Sequence, residues 1–222
     1  MFHDREDAAR QLAEQLKGRS LQDPLILAIP RGGVVTGAVL ARELGAELDI
    51  VLSRKLRAPD QPELAVGAIA EDGRVFINPR VREFLDIDEA YLAEERRHQT
   101  AEIARRKKLF RGVRPAAPIT RRSVIVTDDG IATGATMIAA LQVVKTQRPH
   151  EIIVAVPVAS PDRLEEVRRW CDDIVCLLYP EEFWAIGQFY EDFTQVEDEQ
   201  VVELLRTCGP APASASTGQV RP

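Results

Sequence analysis

Apolar runs of about five residues, each followed by a segment of helical character, constrain this chain more than any other feature. They lie at 25–29 (LILAI), 48–52 (LDIVL), 123–127 (SVIVT), 151–158 (EIIVAVPV) and 174–178 (IVCLL). Most are apolar throughout instead of alternating with polar residues, which marks strands buried on both faces. The segments 34–44, 137–147 and 161–170 return to helical periodicity between them. Strands and helices in alternation predict an α/β domain: a doubly wound, mainly parallel five-stranded sheet covered on both sides.

The remaining segments add to that frame. Residues 4–17 place Ala8, Ala9, Leu12 and Leu16 on one helical stripe, with Gly18 as a stop. The stretch 53–64 (SRKLRAPDQPEL) is polar, holds two prolines and is expected as a long loop. Beyond it, 66–70 and 74–77 flank Asp72-Gly73, a hairpin signal. The charged stretch 78–112 is expected to be helical with a break at 85–88. Residues 209–222, rich in Pro, Ala and Ser, are expected as a disordered tail behind one domain spanning 1–208.

Composition excludes several classes of function. No apolar run approaches the ~20 residues that cross a bilayer. The acidic, amphipathic N-terminus is unlike a secretory signal, and three cysteines are too few and odd in number for a disulfide framework. A net charge of −6 argues against general nucleic-acid affinity. A cytoplasmic protein is expected; the oligomeric state stays open, a homodimer among the options.

Chemistry concentrates after the third strand, where 123–136 reads SVIVTDDGIATGAT. Ligands of open α/β sheets bind beyond the carboxyl ends of the strands. The turn Ile131, Ala132, Thr133, Gly134, Ala135 and Thr136 opens a helix with successive N–H groups and two hydroxyls, which suits a phosphate. Asp128 and Asp129 directly before it would repel that anion unless hydroxyls of a sugar, or a magnesium ion bridging ligand oxygens, lie between. Ala135 stands where a Walker-type loop needs Lys, so a monophosphate end is the better ligand.

The stretch 124–136, VIVTDDGIATGAT, resembles the thirteen-residue binding signature for 5-phosphoribosyl 1-diphosphate (PRPP) in the type I phosphoribosyltransferases. Thr127 at the fourth apolar position is the one departure. The resemblance covers roughly 25–193. It implies a core at about 25–178 with strand order 2-1-3-4-5, and a hood from the N-terminal helix and about 179–195. It further implies transfer of ribose 5-phosphate from PRPP to a nitrogenous base, with Mg²⁺ and release of pyrophosphate. Asp128 and Asp129 would hold the ribose hydroxyls and meet the metal through ligand or water. The turn at 131–136 would bind the 5-phosphate.

Other segments take roles from the same resemblance. Pro30-Arg31-Gly32-Gly33 corresponds to the pyrophosphate loop, with a cis bond expected at Pro30–Arg31; read alone, it is equally a tight strand–helix turn. Arg54 and Lys55 would contact pyrophosphate, or else form a solvated basic pair. The 56–77 region matches a mobile catalytic loop, with Glu63 its one nominated acid. Six of the twelve aromatic residues fall within 179–193, and Tyr179, Phe183 and Trp184 are the candidates to stack on the base. A satellite core or dimer contact is the alternative for those rings. The basic run within 96–114 is expected to be a solvated helix face, an RNA or polyphosphate patch being the sharper alternative. A sensing protein of the same fold with little catalysis, and a hydrolytic side activity, are the other functions compatible with these residues.

Overall fold

The computed structural model describes residues 1–59 and 61–208, without the side chains of Pro62, Glu63, Pro79 and Arg80. The tail at 209–222 and the Glu63 carboxylate therefore lie outside the described residues. The chain opens with α1 (Arg5–Leu16), whose first turn is capped by the Asp4 carboxylate accepting from the Asp7 N–H at 2.7 Å. Its stripe of Ala8, Ala9, Leu12 and Leu16 is fully buried. Then follow β1 (Leu25–Ala28), α2 (Gly32–Leu44) and β2 (Glu47–Ile50).

An antiparallel unit interrupts the α/β alternation: β3 (Ser53–Ala58), β4 (Gln61–Ala70) and β5 (Val75–Ile77) form a separate three-stranded sheet. The β4–β5 hairpin turns at Gly73 with φ +83°, as the Asp-Gly pair implies. The polar loop expected at 53–64 is corrected here, because its ends are strands that pair from Ser53↔Ala70 to Ala58↔Gln61. Leu56 and Ala58 point inward at period two, a pattern that the intervening Arg and Lys conceal. The upper half of β4 is buried on both faces, with Ala68 and Ala70 against α5 and Ile69 against α4.

The charged stretch forms α3 (Pro79–Phe84) and α4 (Glu89–Arg111), broken where expected. The alternation resumes with β6 (Ser123–Thr127), α5 (Ala135–Lys145), β7 (Glu151–Val158), α6 (Pro161–Arg168) and β8 (Asp173–Leu178). A 3₁₀ turn (Ile186–Phe189) and α7 (Asp198–Thr207) close the described chain. The sequence reading left α7 out, although Val201 and Leu205 at helical spacing bury its inner face.

Five strands pair in parallel in the order β2-β1-β6-β7-β8, the expected 2-1-3-4-5 arrangement. Alternate residues feed two separate cores. Ile26, Ile125 and Ile153 face α1, α2 and α7, whereas Leu27, Val126 and Val154 face α5 and α6. The departure at Thr127 is accommodated because its hydroxyl donates to the Ala155 carbonyl on β7 at 2.6 Å. The order places β1 and β6 side by side at the centre, so the loops leaving both strands meet at one point.

Among the described residues, no helix is long and apolar enough to cross a membrane.

Candidate active site

The loop after β6 runs from Asp128 into α5 through Gly134, whose φ of +77° suits a residue without Cβ. Of the turn's N–H groups, that of Ile131 is spent on the Val158 carbonyl at 2.9 Å, which corrects its place among free donors. Ala135 makes only a long contact of 3.5 Å to Thr133 Oγ1. The N–H groups of Ala132, Thr133, Gly134 and Thr136 have no acceptor among the described residues, and the side chains of Ala132, Thr133 and Thr136 are exposed. An open run of donors at a helix N-terminus attracts an anion through unpaired amides and the helix dipole.

The two acids diverge. Asp129 is buried, and its Oδ2 accepts from Arg5 Nε at 2.8 Å. Arg5 is also held by the Thr194 carbonyl at 2.8 Å, and its guanidinium stacks on the Phe193 ring at 3.8 Å. The Tyr190 hydroxyl donates to the Asp129 carbonyl at 2.6 Å. Asp129 therefore fastens the N-terminal helix and the 190–194 segment to the end of β6. The two adjacent acids, equivalent in sequence, are not equivalent in the fold: only Asp128 keeps solvent exposure, and that in part.

Burial, and then the neighbouring Asp129 charge, hold the Asp128 carboxyl well above the usual carboxylate range. The Asp129 N–H, the Arg5 charge and the Gly33 N–H act in the opposite sense. A carboxylate kept short of compensation at a strand end is poised to accept from a ligand's hydroxyls.

Pro30–Arg31 is a cis peptide bond, as expected for this loop. The two glycines that follow are dictated by close approach to the acid loop. A Cβ on Gly32 would stand 1.9 Å from Asp129 Oδ2, and one on Gly33 would stand 2.8 Å from Asp128 Cα. The loops after β1 and β6 are thus packed against each other, and Gly130 in turn admits Ile186 against the acid loop. Arg31 is turned toward the start of α7, 3.8 Å from Glu197 and 3.9 Å from Asp198.

Arg54 and Lys55 lie on β3, and both line a cavity of about 140 Å³ together with Pro30 and Thr136. Arg54 Nε donates to Gln99 Oε1 of α4 at 3.0 Å, and Gln99 is fully buried. The 96–114 stretch, α4 and the turn after it, is not the uniformly solvated face expected, since the cations at positions 106, 111 and 114 turn inward. Arg111 binds Asp49 and Glu71, and Arg114 binds Glu47. Arg106 instead lines the cavity beside Arg54 and Lys55.

The three rings nominated for a base do not line this cavity. Tyr179 and Trp184 are exposed at 58% and 87%, while Phe183 packs on Phe189 with centroids 5.3 Å apart. Phe189, Tyr190 and Phe193 belong with Phe2 to a satellite core that anchors the segment. Two positions beside the site had no individual signal in the sequence. Arg5 meets a partner 124 residues away, for which no local signal exists, and Arg106 is hidden in a run of like charges.

Comparison with known proteins agrees with this geometry. The family model for the phosphoribosyl transferase domain matches residues 1–194. Two Mycobacterium tuberculosis proteins, from strains CDC 1551 and H37Rv and provisionally named phosphoribosyl transferases, are 42% identical over 205 residues. That match covers 92% of this chain and 46% of theirs, so the chain spans about half the length of these curated relatives. The crystal structure of TT1426 from Thermus thermophilus superposes with a TM-score of 0.89 at 42% identity, covering 94% of this chain and 99% of that one. With the parallel sheet, the paired loops at its centre and these relatives in agreement, the chain belongs to the phosphoribosyl transferase domain family.

Proposed function

We propose that this chain transfers the 5-phosphoribosyl group of PRPP to a nitrogen of a base and releases pyrophosphate. The bond from ribose C1 to the diphosphate oxygen breaks and its electron pair leaves with the pyrophosphate, while the lone pair of the base nitrogen forms the bond to C1 and the proton on that nitrogen is released to solvent. Family membership supports the general activity. The observation that carries the reading is the shared cavity, in which Thr136 of the anion-binding turn and the cations Arg54 and Lys55 face one space. A ligand that carries phosphate groups at both ends suits a space with the start of α5 on one side and cations on the other.

In this reading the N–H groups of Ala132, Thr133, Gly134 and Thr136 hold the 5-phosphate, helped by the Thr133 and Thr136 hydroxyls. Asp128 accepts from the ribose hydroxyls and faces the positive charge that develops on the ring as the diphosphate departs. Asp129 acts indirectly by keeping Arg5 and the 190–194 segment in place. Arg31, Gly32 and Gly33 hold the pyrophosphate end with Arg54 and Lys55. Tyr179 and Trp184 offer exposed faces on which a planar acceptor stacks, and Phe183, packed on Phe189, is the third ring of the set.

A magnesium ion fits this donor set in a limited way. The described residues contain no group of three or more acidic, His or Cys side chains able to cage a cation. Magnesium is commonly held by one or two carboxylates plus substrate phosphates, and Asp128 is the carboxylate left for it, directly or through water. The ion would neutralise charge on the departing diphosphate.

Pyrophosphate release tests the proposal, measured from PRPP and Mg²⁺ with each nucleobase separately and with an acceptor-free control. Release that depends on one base is expected and names the acceptor class. Release in the control alone would indicate hydrolysis, and silence throughout would favour a sensing protein of the same fold.

A further inference from the structure

Helix α4 carries Gln99, Ile103 and Arg106 at spacings of four and three, so one stripe of the helix faces one way, and all three line the cavity that holds Arg54 and Lys55. The cavity walls also include Arg57, and no carboxylate is among the described lining residues. Gln99 has a positioning task. It is buried, accepts from Arg54 Nε at 3.0 Å, and is itself tied to Glu95 at 2.9 Å. Arg57 Nε is buried with no hydrogen-bond partner among the described residues.

Arg106 differs from the inward arginines that follow it in the chain. Arg111 and Arg114 each reach carboxylates within 3 Å. Arg106 has no hydrogen bond or ion pair among the described residues, although it is half-buried. Burial, and then the Arg54 charge, lower its proton affinity, with Arg105 and Arg31 adding to the effect and Asp198 opposing it. A half-buried guanidinium beside a like charge, with no partner of its own among the described residues, is unfavourably placed until an anion arrives.

We infer that Arg106 of α4 is a ligand of the diphosphate group, closing the cavity formed by Arg54, Lys55 and Arg57 around the pyrophosphate of PRPP. The inference rests on the proposed function for the identity of that anion. A guanidinium suits the task because its fork of donors meets two phosphate oxygens at once. Helix α4 is then part of the active site, supplying Arg106 directly and fixing Arg54 through Gln99.

The test is calorimetric titration of pyrophosphate and, separately, of ribose 5-phosphate into the wild-type chain, Arg106→Met and Arg106→Lys, each with Mg²⁺. Arg106→Met is expected to weaken pyrophosphate by about ten- to hundredfold and to leave ribose 5-phosphate within about twofold, since that ligand lacks the diphosphate. Arg106→Lys should recover part of the loss. The ligand-free melting temperature of Arg106→Met should match or exceed that of the wild type, because a crowded cation is removed; a purely structural role would lower it. Unchanged pyrophosphate affinity in Arg106→Met overturns the inference while the function proposed above stands. Wild-type binding of ribose 5-phosphate without pyrophosphate overturns the cavity assignment, and binding of neither overturns both readings.

Discussion

The wall of the cleft built on the parallel sheet and the wall built on β3 and α4 treat charge in opposite ways. Beneath the first, acids are matched inside the protein: Asp129 with Arg5, Asp49 with Arg111, and Glu47 with Arg114 and Arg122. On the second, Arg54, Lys55, Arg57 and Arg106 gather around a cavity with no acid among its described lining residues. Asp128 is the exception on the sheet side, and in this it resembles Arg106 on the other. Burial and a like-charged neighbour push the acid toward holding its proton and the base toward losing one. Charges satisfied within the chain hold the fold, and charges left under strain indicate where a ligand belongs.

The sharpest way to break that contrast is to remove a structural charge. Arg5→Met leaves the Asp129 carboxylate buried without its partner, and is expected to cost about 3–5 kcal/mol in urea denaturation. Adding Asp129→Leu should restore part of the loss, because the uncompensated charge is then gone. If Arg5→Met is as stable as the wild type, the pair does not fasten the hood.

Next in size is the contact between the two loops. Gly33→Ala would place its Cβ 2.8 Å from Asp128 Cα and 3.0 Å from the Thr127 carbonyl. Overpacking against backbone is expected to cost about 1–3 kcal/mol by the same method.

Asp128 should show the reverse sign. Its folded-state pKa is raised, so the stability that the protonated form contributes is complete below the ordinary carboxylate pKa and is lost as pH rises through the raised value. Asp128→Asn should therefore match the wild type near pH 3 and be the more stable of the two at neutral pH, as read from melting curves across pH. A variant that is less stable at neutral pH would make Asp128 a structural acid like its neighbour. The smallest effect is expected for Trp184→Ala. With 87% of the ring exposed, its loss should change stability by no more than about 0.5 kcal/mol, while an acceptor base that stacks on it should bind about tenfold less tightly.

How much of this could be read from the sequence depended on the distance between cause and consequence. The five central strands were legible because burial on both faces leaves continuous apolar runs, and the parallel order followed from the family resemblance. The Asp-Gly hairpin and the break in the charged helix were legible because turn chemistry is local. Strand β3 was not, since Leu56 and Ala58 alternate with Arg and Lys that serve the cavity and so imitate a loop. The adjacent acids Asp128 and Asp129 are indistinguishable in sequence. What separates them is Arg5 at the far end of the domain and the Gly32–Gly33 backbone pressed against both. Ile131 lost its place in the proposed anion-binding turn for a similar reason, because the Val158 carbonyl that takes its N–H belongs to the next strand.

The most direct test of the division between a ligand-binding Asp128 and a structural Asp129 is titration of PRPP with Mg²⁺ into the wild type and Asp128→Asn side by side. The account predicts saturable binding by the wild type and an affinity about a hundredfold lower in the variant, the equivalent of losing charge-assisted hydrogen bonds from two hydroxyls. No binding by the wild type, or equal binding by both proteins, would contradict it.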